Sequence, residues 1–453
     1  MFTADSSIVE HLDFKSIVPY IQAHKRELAR LKKMRDYYLG KQDILLRQKP
    51  DGSPNNRVMC NHAKYITDMS TGYFIGNPVT YSGENMEQIK KWFQESDIDT
   101  VDMNIAKDAG IYGRGYELIC MSEDAAPVPK SYKISPLNAF KVYDNTVRHK
   151  QLFAVYYYPD MDIVNGQVKG FYISVYTHRN IQEYYSDTGL YTAQEIKIQE
   201  NIFGSIPIIE YWNNEEQQGD FEQVISLIDA YNTLMSDRIN DKEAFVDAIL
   251  LLINAVLGDT PEEESAAKQA LRQEKILQLP SDSDARYLLH SFDESGVEVL
   301  RKALIEDIHK FSFTPCMTDE NFAGNVSGVA MEYKLLGLES ITKIKERYFK
   351  AGLLRRIELY SRIQEIKGGA PVKNPEPVFS RGLPKNLVEA ASMVSQLEGI
   401  VPSEILLSLL PFVKDPKEAV RLIKKENDEK IEEQQRRFAV VENTPPAGDG
   451  DEE

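Results

Sequence analysis

Apolar residues between Ile17 and Tyr38 fall near helical spacing (Ile17, Tyr20, Ile21, Leu28, Leu31, Met34, Tyr37), and Gly40 stands where such a helix would stop. A polar loop dense in turn formers, Lys49-Pro50-Asp51-Gly52-Ser53-Pro54-Asn55-Asn56, separates it from a second helix. Asn61 is predicted to cap that helix, which should run to Met69, with Gly76-Asn77-Pro78 closing the segment. From Glu117 to Tyr211 the period changes to short β-branched and aromatic strands such as Phe153–Tyr158, Gly170–Tyr176 and Ile206–Ile209, with Asn165-Gly166 as a turn.

Two longer patterns follow. Phe221, Val224, Ile228, Tyr231, Met235 and Ile239 repeat every three or four residues toward Leu250, which predicts a helix of about 30 residues, roughly 45 Å long. Its other face carries Asp220, Glu222, Asp229, Asp237, Asp241, Glu243 and Asp247 against Arg238 and Lys242, and reads as solvated or as lining a space that should not bind anions. A compact insertion starts at Thr260-Pro261-Glu262-Glu263-Glu264, with a short helix to about Lys275 and a strand or two through Leu289. Helix resumes from Val297 to Phe311, Pro315 breaks it, and a polar, turn-rich segment runs from Met317 to Ser327. The second long pattern, Gly328 to Lys367, would span roughly 55 to 60 Å, with Gly337 and Gly352 as expected bends. A Pro-rich link (371–377) then leads to a strand-like Val378-Phe379-Ser380 and a helical C-terminal unit. There Asn386 with Glu389, and Asp415 with Pro416 and Glu418, are helix starts, and Pro402 suits a first turn.

Composition narrows the function. The 453 residues hold 70 acidic and 53 basic side chains, a formal charge of −17, which disfavours gripping a nucleic-acid backbone but suits a wall past which a polyanion slides. The longest apolar run, Ala248 to Leu257, is about half of what a membrane span needs, and the N-terminus has no secretion signal, so synthesis in a cytoplasm is expected. Cys60, Cys120 and Cys316 are widely spaced and read as small hydrophobes, and seven histidines show no metal-ligand spacing.

No chemistry-bearing motif stands out. There is no Gly-x-x-x-x-Gly-Lys-Ser/Thr and no His-Glu-x-x-His, and Gly113-Arg114-Gly115 reads as a turn. Asp97, Asp99 and Asp102 lack the glycine-centred loop of a calcium site and read as a solvated face. Neither catalytic residues nor a cofactor or metal are expected.

The order and spacing of several short segments carry a resemblance. They are Tyr37-Tyr38-Leu39-Gly40, Asn55-Asn56, Asn61, Tyr73-Phe74-Ile75-Gly76-Asn77-Pro78-Val79, Ile206-Pro207-Ile208-Ile209-Glu210-Tyr211, Leu227-Ile228-Asp229-Ala230-Tyr231-Asn232, and Phe379-Ser380-Arg381-Gly382-Leu383-Pro384-Lys385-Asn386. In these the chain resembles the tailed-phage portal family, in its SPP1-type branch. The resemblance implies an α+β portal fold. Its parts would be a wing (1–219 and 328–378), two stem helices (220–249 and 294–315), an α/β clip between them (250–293), a tunnel loop (316–327), a helical crown (379–430) and a disordered acidic tail (431–453).

It also implies a ring of about twelve copies at one vertex of a virion capsid, the channel for DNA packaging and ejection. Implied partners are further copies of the chain, double-stranded DNA, the terminase large subunit, a head-tail adaptor, scaffold and major capsid protein, with no membrane. On this layout Met317, Thr318, Asp319, Glu320, Asn321, Phe322 and Asn325 would face DNA. Arg272, Lys275 and Arg286 would face terminase and adaptor, and Asp229, Asp237, Asp241 and Asp247 would form the acidic stem face. Another non-enzymatic virion part, a minor capsid or adaptor protein, would share the acidic, motif-free composition.

Overall fold

The computed structural model describes residues 1–50, 53–187, 189–246, 249–254, 256, 260–273, 283–288, 294–317, 328–382, 387–410, 413 and 416–442. Two compact units divide at Ser380/Arg381.

In the first unit, strand β1 (Phe2–Ala4) precedes helix α1 (Phe14–Tyr38). Asp13 caps α1 by accepting from the Ser16 N–H at 2.8 Å. Gly40 ends it at φ +81°, and a paired closure forms as Lys41 N–H donates to Asp36 O and Gly40 N–H to Tyr37 O. Helix α2 (His62–Ile75) has the expected Asn61 cap, bonded to Lys64 N, but runs six residues past Met69. Its buried Ser70, Thr71, Tyr73 and Phe74 keep packing until Gly76. Strand β2 (Thr80–Glu84), helices α3 (Glu87–Glu95) and α4 (Ile98–Tyr112), and strands β3 (Arg114–Met121), β4 (Pro129–Ile134), β5 (Ala139–Asp144), β6 (Gln151–Met161), β7 (Val168–Tyr176), β8 (Asn180–Ser186), β9 (Gln194–Glu200) and β10 (Ile208–Trp212) follow. Gly113 closes α4 at φ +87°, where any Cβ would overlap the Gln217 carbonyl, so Gly113-Arg114-Gly115 is a turn into β3 as expected.

Strands order as β1-β5-β6-β7-β8-β9 in one sheet and β10-β3-β4 in a second. Only β1 lies parallel to its neighbour, and the rest of the large sheet is an antiparallel meander. The alternation of side chains along each strand puts Phe140, Val142, Phe153, Val155, Ile173 and Val175 on one face, against Phe14, Ile17 and Ile21 of α1.

The remaining elements are helix α5 (Ile225–Val246), strand β11 (Ile249–Ile253), helix α6 (Pro261–Gln273), strand β12 (Asp284–Leu288), helix α7 (Glu294–Phe311), helix α8 (Gly328–Ile366) and strand β13 (Lys373–Val378). Helix α8 is continuous over 39 residues, about 58 Å, through both Gly337 and Gly352, which were expected to bend it. Gly352 instead admits the Tyr211 ring, whose Cε1 lies 2.3 Å from where a Cβ would stand. The Pro-rich link is itself a strand, β13, paired antiparallel with β2, because a two-stranded ribbon leaves an edge on which proline forfeits no ladder bond.

The second unit contains helices α9 (Leu387–Leu397), α10 (Ser403–Ser408) and α11 (Pro416–Glu442). Pro402 is the residue before α10 and not within its first turn. Helix α11 extends through Glu442 where disorder was expected from 431, since its Lys, Glu, Gln and Arg are strong helix formers. Asn386 and Asp415 lie outside the described residues.

The core of the first unit is partly ionic. Arg356 of α8 is fully buried, with Nε 2.8 Å from Glu117 Oε1 and Nη2 2.5 Å from Asp102 Oδ1. Tyr211 donates to Glu117 at 2.5 Å and Tyr81 to Asp102 at 3.0 Å. Asp102 is therefore no part of a solvated acidic face: α4 turns it inward, and burial raises its carboxyl although Arg356 opposes the shift. Around these charges pack Ile105, Ile119, Trp92, Phe93, Phe349, Leu353, Ile357 and Tyr360.

Two predictions follow from buried charge. Arg356→Met leaves Glu117 and Asp102 without their cation and should cost about 3–5 kcal/mol by urea unfolding, while an unchanged midpoint would show the network to be inert. Lys141, 2% exposed on β5, is lowered by burial to about 7, with Glu210 opposing the shift and Arg355 adding to it. The unfolded chain keeps that proton to about pH 10.5 and the folded chain loses it near 7, so stability should rise with pH between these values. Lys141→Met should flatten the rise in a thermal-melt pH series, and an identical slope would count against it.

Candidate functional site

With no catalytic cluster in the sequence, attention falls on the pair of helices that flank the insertion. Pairings along α5 and α7 run in opposite directions. Ile308 packs with Val224 and Ile228, while Arg238 meets Glu298 at 3.1 Å and Glu294 at 2.9 Å. Lys242 reaches Glu294 at 3.1 Å, so the two helices form an antiparallel hairpin. The Arg301 hydrogen bond is the main reason the Glu298 carboxyl falls to about 2.

At the far end of the hairpin, β11 pairs with β12 from Ile249↔Leu288 to Ile253↔Asp284, with α6 between them in sequence. The apolar run that starts at Ala248 thus contributes a strand and does not prolong α5, which ends at Val246. Thr260 Oγ1 accepts from Glu263 N–H at 3.3 Å, and Pro261 opens α6.

Helix α5 rests along its length on a polar mount. Asn232, Ser236 and Asn240, one helical turn apart on α5, are buried. They accept the backbone N–H groups of Cys60 (2.8 Å), Val58 (2.9 Å) and Asn56 (2.7 Å). Four helical residues rise about 6 Å and two extended residues about 6.6 Å, so the two ladders stay in step for three rungs. Asn56 also donates to Glu243 at 2.7 Å, and Asn232 to Gln42 at 2.5 Å. Residues 42–50 and 53–60 therefore form a strap along α5.

Charge completes the mount. Asp237 lies 2.9 Å from both Arg47 and Lys49; burial alone would raise its carboxyl, but these hydrogen bonds outweigh it and hold it low. Asp229 accepts from Tyr37 at 2.7 Å, and burial raises its carboxyl despite that bond. Just ahead of α5, the buried pair of Asp220 with Lys345 of α8 closes at 2.6 Å, with Lys345 also donating to Ser70 at 2.6 Å. Glu222 takes two bonds from Arg30, each 2.6 Å.

The carboxylates read as one solvated face are thus divided. Asp220, Glu222, Asp229 and Asp237 are partnered within the subunit, Asp241 is exposed, and Asp247 lies outside the described residues. The exposed residues of α5 are small toward its start, Ser226, Ala230 and Thr233, and mixed toward its end, Ile239, Asp241, Lys242 and Glu243.

The backbone places Arg272 in the last turn of α6 and Arg286 on β12 opposite Leu251, whereas Lys275 lies outside the described residues. Met317 is exposed, its N–H donating to Tyr65 Oη at 3.1 Å. Thr318, Asp319, Glu320, Asn321, Phe322 and Asn325 also lie outside the described residues. Sequence reading missed the mount, although Asn232, Ser236 and Asn240 at intervals of four along the helix are its signal.

Among the described residues no three His, Cys, Asp or Glu side chains gather as metal ligands, and no helix is long and apolar enough to cross a membrane. Cys60 and Cys120 are partly buried, and burial raises both thiols, Cys120 to about 11. His24 is fully buried between Tyr157 Oη and Pro136 O, and burial brings it to about 4.

The family model described as phage portal protein, SPP1 Gp6-like, matches residues 17–433, and the chain belongs to that family of virion structural proteins. The portal protein of Clostridium phage phiCD119 is 24% identical over 444 residues, covering 90% of this chain and 94% of its own. The portal protein of Bacillus phage SPP1 is 25% identical over 426 residues, covering 89% and 82%. Among solved structures, a chain in the neck of an empty GTA particle aligns at TM-score 0.43 and 13% identity, over 77% of this chain and 90% of its own, a likeness too distant to argue from. Family membership decides against the minor-capsid and adaptor reading.

Removing the rungs of the mount tests it. Asn232→Ala, Ser236→Ala and Asn240→Ala each strip a partner from a backbone N–H, and each should cost roughly 1–3 kcal/mol. Amide exchange at Cys60, Val58 and Asn56 should quicken while the β6/β7 amides stay protected; equal loss in both places would make the effect global and not local.

Proposed function

We propose that this chain is the subunit of a closed portal ring, of about twelve copies, at one vertex of a tailed-phage capsid, and that its channel conducts double-stranded DNA during packaging and ejection. The observation that carries the reading is the α5/α7 hairpin, which bears an insertion at one end and is held along α5 by a polar mount, in a chain whose family match spans residues 17–433.

In this reading the hairpin is the stem, residues 250–293 the clip, 316–327 the tunnel loop and 379–430 the crown. Arg272, Lys275 and Arg286 of the clip meet the terminase large subunit and later the head-tail adaptor. The wing meets scaffold and major capsid protein. The side of α5 that carries Ser226, Ala230, Thr233 and Asp241 fits a conduit wall, since its side chains are small and the two cations beside it, Arg47 and Lys49, are engaged by Asp237. The stem carboxylates that are paired, Asp229 and Asp237, hold the helix upright, and Asp241 and Asp247 contribute the repulsive charge. The subunit transports without catalysis, and force comes from the ATPase partner.

Replacing Met317–Asn325 with an equal length of Gly and Ser should leave ring assembly intact and sharply reduce DNA retained in particles, read as nuclease-protected genome per capsid. Normal packaging and retention by that variant would remove the loop from the mechanism.

A further inference from the structure

Helix α2 makes contacts on both sides of the segment that the proposed function turns toward DNA. At the end of α7 the chain makes a tight corner. Phe313 stands at φ +55°, a backbone conformation rare for a bulky residue, with Ser312 and Thr314 buried on either side of it. His309 Nδ1 lies 2.9 Å from Thr314 O, and since a carbonyl only accepts, this nitrogen carries the proton. Tyr65 of α2 holds the exit from the corner. Its hydroxyl donates to Pro315 O at 2.9 Å and accepts from Met317 N–H at 3.1 Å, so one oxygen ties the backbone on both sides of Cys316. The Tyr65 ring stands edge-on to His309, centroids 5.5 Å apart, which joins the two holds.

The same helix reaches α8. Tyr73 donates to Glu339 at 2.8 Å, and Ser70 accepts from Lys345 at 2.6 Å. Tyr65 and Tyr73 are eight residues apart, about 12 Å along the axis. The corner also meets α8 directly, because Gly337 has no Cβ and Phe313 Cδ1 comes to 3.6 Å from where one would stand. We infer that α2 is a bracket that fixes where α7 releases residues 318–327 and where α8 takes them up, with Tyr65 and Tyr73 as its positioning residues. The inference rests on reading 316–327 as the loop that faces DNA, and it names what sets the two ends of that loop. Ends tied to one rigid helix limit where any chain between them can go. Both tyrosines act through a single hydroxyl, so each hold can be removed without taking away the ring that packs around it.

Single hydroxyl deletions in the full chain test it. Tyr65→Phe should raise the alkylation rate of Cys316, which lies between Pro315 and Met317, at least about fivefold, while Cys60 and Cys120 keep their wild-type rates. General loosening would move all three thiols together. Particles built with Tyr65→Phe or Tyr73→Phe should form rings as the wild type does and protect at least about threefold less genome from nuclease. If Tyr65→Phe fails to fold, His309→Leu should reproduce both effects, and His309→Asn, with a donor where Nδ1 stood, should not. An unchanged Cys316 rate overturns the bracket. So does normal genome retention in both tyrosine variants while the Gly and Ser replacement of Met317–Asn325 loses genome, a result that leaves the loop reading standing. Normal retention in all three overturns both.

Discussion

Arg356 is the fixed point of the first unit. A guanidinium with no exposure to water is tolerable only because Glu117 and Asp102 meet it at 2.8 and 2.5 Å and because Tyr81 and Tyr211 occupy the remaining carboxylate oxygens. Those partners come from α4 and β3, and Tyr211 from β10, so the pair sets both the height and the rotation of α8 against the smaller sheet. Tyr211 can lie there only because Gly352, one turn before Arg356, presents no Cβ.

Once α8 is fixed, the α5/α7 hairpin is placed. Lys345 stands eleven residues before Arg356, three turns along the same helix, and its 2.6 Å contact with Asp220 anchors the residue that leads into α5. From there the strap takes over, with Asn232, Ser236 and Asn240 holding α5 by hydrogen bonds and Asp237 by charge. Neutral hydrogen bonds suit the buried rungs, since they fix register without burying a charge. A hairpin held along α5 by so many directional bonds can carry an insertion at its far end.

Much of this was legible in the chain. Long helices at 14–38 and 328–366, the Asn61 cap, the Gly40 stop and the strands of residues 153–176 all followed from spacing, because each depends on neighbours within a few residues. What sequence hid was partnership over long separations. Asp102 reads as one of three surface aspartates until Arg356, 254 residues away, is seen beside it. Asp229 and Asp237 read as a solvated face until Tyr37, Arg47 and Lys49 are found against them. The end of α5 was misread for a different reason: an apolar run continues a buried helix or begins a strand equally well, and β12 decides for the strand. The family likeness, carried by the order of short segments, needed none of these contacts.

The hairpin and its mount serve the proposed conduit only if copies of the chain close around an axis. Negative-stain or cryogenic electron microscopy of the purified full chain tests that most directly. Closed rings with a central channel bounded by the α5/α7 hairpins are the predicted result. A persistent monomer, or a ring whose channel wall is built from the six-stranded sheet, would contradict it.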